Sequence, residues 1–441
     1  MIPRLLALWH GLRSSLWALP LLMVVAAAAA AVLAGHVRLR QGQDPVWFLY
    51  SGDAEDAPQF LSNLVTAMIT MATLVVSITM VVLTLAAQQL GPRLIRSFMA
   101  DRRTQLTLGL FIATVVYLLL VLRATYGATD RISNLAVTGG TALVLLCLIA
   151  LLGFVHHLAR SIIADNIIDR VGDALDADVT RLLPEADAEQ CPPPSRRPRE
   201  WGAPVYFARS GYVQTLDYRQ LVATAKEADA TIELAFKAGH HAAQGSIFGW
   251  VAPPESATDE VRHQVAGCVS LGGERASIQD LETSIRQLVE VALRALSPGI
   301  NDPFTAIAVI DRLTGSLALI RLRGAPQSVW ADGDATARLI APRSNFADSV
   351  DVAFRQIRQH SAGQAAVLIR LVESLGQLLV QADKAERTVL AEQIQIILDT
   401  GRRNIEQKQD LAVLEERARL ALEPCDSHAA KKERGRKKAA G

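Results

Sequence analysis

The sequence predicts a membrane protein of four transmembrane α-helices followed by a cytoplasmic α+β region, itself a small β-rich domain and a helical bundle. Three observations lead there. Of 441 residues, 50% are apolar and only 20% charged, with a positive mean hydropathy. The uncharged stretches crowd the first 155 residues, and most Lys, Arg, Asp and Glu lie beyond them. After that point, short glycine-punctuated runs give way to apolar residues at helical spacing. Such a composition excludes a disordered or collagen-like chain. The net charge of +1 is an average over two unlike halves.

The four uncharged stretches are Leu16 to Leu33, Pro58 to Leu90, Gln105 to Leu122 and Ser133 to Val155. Each is long enough for roughly 30 Å of hydrocarbon at about 1.5 Å per residue. Arg4 and Arg13 precede the first stretch as they would a signal peptide, but its apolar core exceeds the usual length, so an uncleaved anchor is expected. Arg93, Arg96, Arg102 and Arg103 lie between the second and third stretches. The loop between the first and second stretches holds Arg38 and Arg40 and is otherwise acidic, with Asp44, Asp53, Glu55 and Asp56. The positive-inside rule then puts both termini and the large C-terminal region on the cytoplasmic side of the membrane.

The second stretch carries a polar stripe. Asn63, Thr66, Thr70, Thr73, Ser77, Thr84 and Gln88 recur at intervals of three, four or seven residues, with Met80 filling the gap, and therefore share one helix face. Such a stripe either packs helices together through small residues and hydroxyl hydrogen bonds, or lines a pore made by several copies of the helix. The spans hold no Asp or Glu, which argues against a proton-coupled pump.

Residues 158–182 form a juxtamembrane coupling helix, with Ile162, Ile163, Ile167, Val171, Leu175 and Val179 on one face. His156 and His157 precede it as interfacial side chains. Residues 183–202, with Pro192-Pro193-Pro194, read as a linker. Within 203–275, Val205 to Ala208, Tyr212 to Leu216, Thr231 to Ala235, Ile247 to Val251 and Val265 to Leu271 read as strands of a small antiparallel sheet or barrel. Leu221 to Lys226 is a short helix among them. His240, His241 and His263 lack a complete ligand pattern, and Cys147, Cys191, Cys268 and Cys425 lack metal-ligand spacing. No metal or cofactor is expected.

Residues 276–424 read as helical. Ile278 to Leu296 is amphipathic, with Arg286, Glu290 and Arg294 four apart as an ion-pair ladder. Ser297-Pro298-Gly299 stops it, and Asp302 then caps a new helix with Pro303 in its first turn. Arg275, Asp280, Arg286, Ser297, Asn301, Asp302 and Thr305 form a candidate ligand or gating corner, where helix-start amides could receive an anion. No nucleophile and base are paired by motif, so no catalytic residue is assigned and an enzyme is the lesser reading. Phe346 to His360, Gly363 to Gln381, Ala385 to Asp399 and Asn404 to Leu422 complete a bundle. Residues 425–441 form a basic tail, Lys431 to Lys438, expected to be disordered and able to touch anionic lipid; nucleic acid is not an expected partner.

One string is specific. Ile285-Arg286-Gln287-Leu288, Ala292, and Ala295-Leu296-Ser297-Pro298-Gly299-Ile300-Asn301-Asp302-Pro303-Phe304-Thr305-Ala306 resemble the signature of the bacterial predicted membrane proteins grouped as domain of unknown function 2254. Gly211-Tyr212-Val213 and Arg275 with Gln279-Asp280 are similar as well. Thr283-Ser284 stands where the family pattern has Phe-Gly, and Gly239-His240-His241 lacks its acidic-aromatic pair. The resemblance implies an inner-membrane protein and no particular activity. The leading expectation is an oligomeric channel or passive transport protein, lined by the second span and gated by the cytoplasmic region. The alternative is a membrane-anchored sensor or scaffold whose corner binds a ligand or protein partner.

Overall fold

The computed structural model describes residues 18–36, 56–90, 101–126, 133–161, 164–183, 191–275 and 278–423. Arg93, Arg96, Ile162, Ile163, Cys425 and the basic tail lie outside them. The chain divides into two compact units, Met1–Asn166 and Ile167–Gly441.

The first unit holds α1 (Ala18–His36), α2 (Ala57–Leu90), α3 (Arg102–Tyr126) and α4 (Asn134–Ser161), one helix for each predicted span. Small residues set their spacing, as expected where lipid removes the hydrophobic drive between helices. A Cβ on Gly109 of α3 would lie 3.0 Å from the Pro20 Cα of α1, so glycine permits that approach. Gly139 and Gly140 of α4 likewise accept Tyr117 and Leu118 of α3. Polar groups in this unit find partners. Tyr117 donates to the Ala136 carbonyl at 3.1 Å, Ser133 to the Ala34 carbonyl at 2.8 Å, and Thr114 lies 3.3 Å from the Cys147 sulfur. At one end, His157 Nε2 meets Asp101 Oδ2 at 2.5 Å.

Among the described residues, four helices are long and apolar enough to cross a membrane: Ala57–Leu85, Arg102–Tyr126, Asn134–Leu158 and Pro303–Arg323, with Ala18–Ala34 apolar but shorter. Pro303–Arg323 belongs to the second unit. It carries Asp311 and Arg312 at mid-length, bonded to Arg370 and to Asp173 and Asp176. Its apolar face reflects burial inside a helix bundle, where Val309, Ile310, Leu313 and Leu317 are enclosed.

The second unit contains α5 (Ala164–Leu182, from Ile167 onward), β1 (Ala203–Tyr206), β2 (Gly211–Leu216), α6 (Tyr218–Glu227), β3 (Thr231–Leu234), β4 (His241–Ala242), β5 (Ile247–Ala252), α7 (Asp259–Gly267) and β6 (Val269–Gly272). There follow α8 (Leu281–Ala295), α9 (Pro303–Arg323), β7 (Val329–Ala331), β8 (Ala337–Ile340), α10 (Phe346–His360), α11 (Ala365–Leu379), α12 (Lys384–Asn404) and α13 (Lys408–Leu422).

The strands form two sheets, β1-β5-β3-β8-β7 and β4-β2-β6. Val213, Leu216, Leu221, Ile232, Phe248, Val251, Val265 and Leu339 fill the core beneath them. The sheet is not wholly antiparallel as expected. β8 arrives from beyond α9 and pairs parallel with β3, Ile232 opposite Leu339. Val265 to Leu271 is also not one strand. Thr258 caps Val261 N at 3.3 Å and opens α7, leaving only Val269–Gly272 extended.

The segment read as a linker is held to the sheet over its described part. Glu233, only 3% exposed on β3, receives Arg197 Nη2 at 2.6 Å, Arg197 Nε at 3.2 Å and the Arg199 amide at 3.1 Å.

Candidate functional site

The stripe of α2 lies on the outside of the first unit. Asn63, Thr66, Thr70, Thr73, Ser77 and Thr84 are all exposed, whereas Ala57, Leu61, Val65, Met68 and Val75 are buried against the neighbouring helices. At about 100° per residue the two sets point about 165° apart. Gln88 belongs to the last turns of α2, where side chains fall outside the described set. Within one chain, therefore, the stripe does not pack the spans together.

Its hydroxyls turn back on their own helix. Thr66 donates to the Ser62 carbonyl at 2.9 Å, Thr70 to Thr66 at 3.0 Å, Thr73 to Ile69 at 2.9 Å and Thr84 to Met80 at 2.8 Å. Back-bonding satisfies the donors without a second helix and leaves oxygen lone pairs facing outward. Such a face tolerates lipid, a neighbouring copy or water.

The seven corner residues fall at opposite ends of α8. Ser297, Asn301, Asp302 and Thr305 stand at its C-terminal end, and Arg275, Asp280 and Arg286 near its N-terminal end, about 22 Å away for 15 residues at 1.5 Å each. At the C-terminal end, Ser297 O accepts the Ile300 and Asn301 amides at 3.1 and 2.8 Å. Asn301 takes φ +50°, a left-handed conformation Asn tolerates, and its Oδ1 accepts from Gln364 at 3.0 Å. Asp302 accepts from Phe304 N, Thr305 N and the Thr305 hydroxyl at 3.1, 3.2 and 2.6 Å. Its carboxylate, held below the usual range chiefly by the Thr305 hydroxyl, thus occupies the amides an anion would need.

The N-terminal end is denser. Asp280 is buried, caps α8 through Glu282 N at 3.0 Å and receives the Thr283 hydroxyl at 2.7 Å. Burial pushes its carboxyl up despite these bonds. Gly239, at φ +86°, presses against that carboxyl; a Cβ there would lie 1.9 Å from Asp280 Oδ2. Glu282 receives Lys237 Nζ at 2.6 Å, Ser344 Oγ at 2.8 Å and Arg286 Nη2 at 3.3 Å. Burial opposes its ionisation, yet these donors prevail and hold it at about 2. Burial, with the Lys237 charge, lowers His240 nearby. Gln279 clamps the Leu216 backbone, accepting its amide at 2.8 Å and donating to its carbonyl at 3.0 Å.

Arg286 joins this network through Glu282, four residues before it on α8. Arg275 lies over the Tyr212 ring at 5.8 Å. Lys237, Ser344 and Arg343 escaped sequence reasoning. Lys237 sits two residues before a left-handed glycine, a weak signal, and Ser344 had none.

Among the described residues no group of three His, Cys, Asp or Glu side chains is placed to hold a metal ion. Residue for residue, the chain is 29% identical over 424 positions to uncharacterized proteins of Mycobacterium bovis (strain ATCC BAA-935 / AF2122/97) and Mycobacterium tuberculosis (strain ATCC 25618 / H37Rv), covering 94% of this chain and 81% of each relative. No solved structure matches. Residues 13–377 match the family described as "Predicted membrane protein (DUF2254)", a span that takes in α1 to α4, both sheets and the α8–α9 corner. The chain belongs to that family of predicted membrane proteins.

Proposed function

We propose that the protein is a homo-oligomeric channel or passive transport protein of the bacterial inner membrane, in which α2 helices of several copies line the conduction path. The observation that carries this reading is the orientation of α2: its apolar face is buried within the chain and its hydroxyl stripe is turned outward. An uncharged helix of 34 residues with an outward stripe of oxygen lone pairs suits a wet, weakly selective wall. The arginines between α2 and α3 support a cytoplasmic second unit and cytoplasmic termini, with the basic tail near anionic headgroups.

Gating by the second unit is supported by the fastening of α5. Arg312 of α9 reaches Asp173 at 3.1 Å and Asp176 at 2.7 Å, Ser316 donates to Asp176 at 2.6 Å, and Ser284 of α8 to Asp178 at 2.8 Å. Ile167, Ile168, Val171, Leu175 and Val179 are buried on the same helix. The helix that follows the last span in the chain is thereby tied to the corner helices. Bilayer recordings on the purified protein test the proposal; absence of conductance across a range of voltage, tension and salt would overturn it.

A membrane-anchored sensor or scaffold is the second reading, favoured by the buried network around Glu282. In a scaffold, replacing Thr70, Thr73 and Ser77 by Ala alters assembly alone.

A further inference from the structure

The end of α5 forms one wall of a cavity of about 20 Å³, enough for a water-sized group and open at its mouth. Leu182 and Leu183 supply that wall; Lys237, Gln279, Asp280, Arg343 and Ser344 supply the polar ones. The polar walls come from separate stretches of the chain: the turn after β3, the start of α8 and the segment between β8 and α10.

The charges around it are unequally matched. Lys237 is answered by Glu282 at 2.6 Å. Arg343 is not answered by any carboxylate among the described residues. Its Nη1 donates to the Tyr218 hydroxyl at 3.0 Å, and its guanidinium lies 5.5 Å from the Tyr218 ring centre. Tyr218 is in turn stacked on Trp330 at 4.6 Å. An aromatic shelf thus fixes the guanidinium and uses one of its five N–H donors in a hydrogen bond. Arg275, on the Tyr212 ring, has no carboxylate partner among the described residues either, and its charge reaches both Asp280 and His240. Gly239 and the Gln279 clamp hold the remaining wall in place, so the cavity is built before any ligand arrives.

We propose that this cavity mouth is a site for a small phosphate group, received by the Arg343 guanidinium with the Lys237 ammonium, which Ser344 and Glu282 hold in place, beside it. Planar bidentate donors favour a phosphate or phosphate monoester over a spherical halide of the same charge. Because Leu182 and Leu183 end α5, occupancy stiffens the terminus of the helix that follows the membrane spans in the chain. The site stands independently of whether the protein conducts ions.

The test uses the full chain in nanodiscs of zwitterionic lipid. Titration calorimetry with inorganic phosphate and with glycerol 3-phosphate is compared with chloride at equal ionic strength. Saturable phosphate binding is expected, weakened roughly tenfold to a hundredfold in Arg343→Gln and less in Arg343→Lys, as for loss of a charged hydrogen-bond donor. Arg355→Gln, whose residue pairs with Asp351 on α10, leaves binding unchanged. Competition by nanodiscs containing phosphatidic acid assigns the group to a lipid headgroup; its absence assigns it to a soluble phosphate. Hydrogen exchange at Val179 to Leu183 slows in wild type and not in Arg343→Gln, which gives a second readout where calorimetry is limited by yield. Phosphate binding no tighter than chloride, or equal binding by wild type and a folded Arg343→Gln, would overturn the proposal.

Discussion

Arg197→Ala removes two of the hydrogen bonds that hold a proline-rich segment to a folded unit. Glu233 is 3% exposed on the central strand of the larger sheet, and Arg197 supplies two of its donors. Removing one partner of a buried pair costs about 3–5 kcal/mol, because the remaining charge stays in a medium that cannot solvate it. Two features reduce that figure here. The Arg197 side chain is 34% exposed, and Arg199 remains, with its amide at 3.1 Å and its guanidinium at 3.9 Å. The expected loss is therefore roughly 2–3 kcal/mol, which for a unit of this size lowers Tm by about 4–12 °C. Thermal unfolding of the full chain in detergent, followed by tryptophan fluorescence, reads this directly, since Trp201, Trp250 and Trp330 all lie in the second unit. The double variant Arg197→Ala with Glu233→Gln removes the stranded charge and should recover at least half of the loss. A shift under about 1 °C for the single variant, or a double variant less stable than the single one, would show that the pair does not hold the segment.

Other consequences follow from the same geometry. Asp280→Asn keeps the α8 cap while removing a carboxyl that burial pushes upward. Folding with the charged form is disfavoured above the ordinary carboxylate range, so the variant's Tm should match or exceed wild type at pH 7.5, its advantage fading toward pH 4; a lower Tm at pH 7.5 contradicts this. Gly172→Ala places a Cβ 2.0 Å from Arg312 Nε and forces Arg312 off Asp173 and Asp176. It should destabilise the second unit by roughly 1–3 kcal/mol and speed hydrogen exchange along α5. Replacing Thr70, Thr73 and Ser77 together by Ala removes exposed hydroxyls, two of them bonded back to their own helix, so the monomer should lose little stability while conductance or ion selectivity changes.

What the sequence discloses, and what it conceals, follows from the range of the interactions. Apolar runs are local, so the predicted spans each became one helix. Caps are local too: Asp302 with Pro303 opens α9 as its spacing demands, and Asn345 with Asp348 closes a capping box on α10. The stripe was legible in spacing, but only the packed neighbours of Leu61, Val65 and Met68 reveal that it faces outward. Distant pairings were not legible. Lys237 bonds Ser344 across 107 residues, and Glu233 finds Arg197 across 36. β8 joins β3 only because α8 and α9 fold between them. Val265 read as strand because β-branched residues favour strands, and the Thr258 cap on Val261, three residues on, decided otherwise. The seven polar residues of the corner looked contiguous in sequence order, and a straight 15-residue helix separates them into two groups.

The central claim is that the outward face of α2 lines a path for solutes, and a cysteine scan on that helix tests it most directly. Single cysteines at Thr70, Thr73, Ser77 and Val76, in a chain whose own Cys147, Cys191, Cys268 and Cys425 are replaced, are recorded in planar bilayers before and after a membrane-impermeant thiol reagent. Val76 is exposed on α2 but lies about 100° from the stripe centre. The channel reading predicts rapid block at Thr70, Thr73 and Ser77 and none at Val76. Conductance that persists unmodified at all three stripe positions, or no conductance at all, contradicts it.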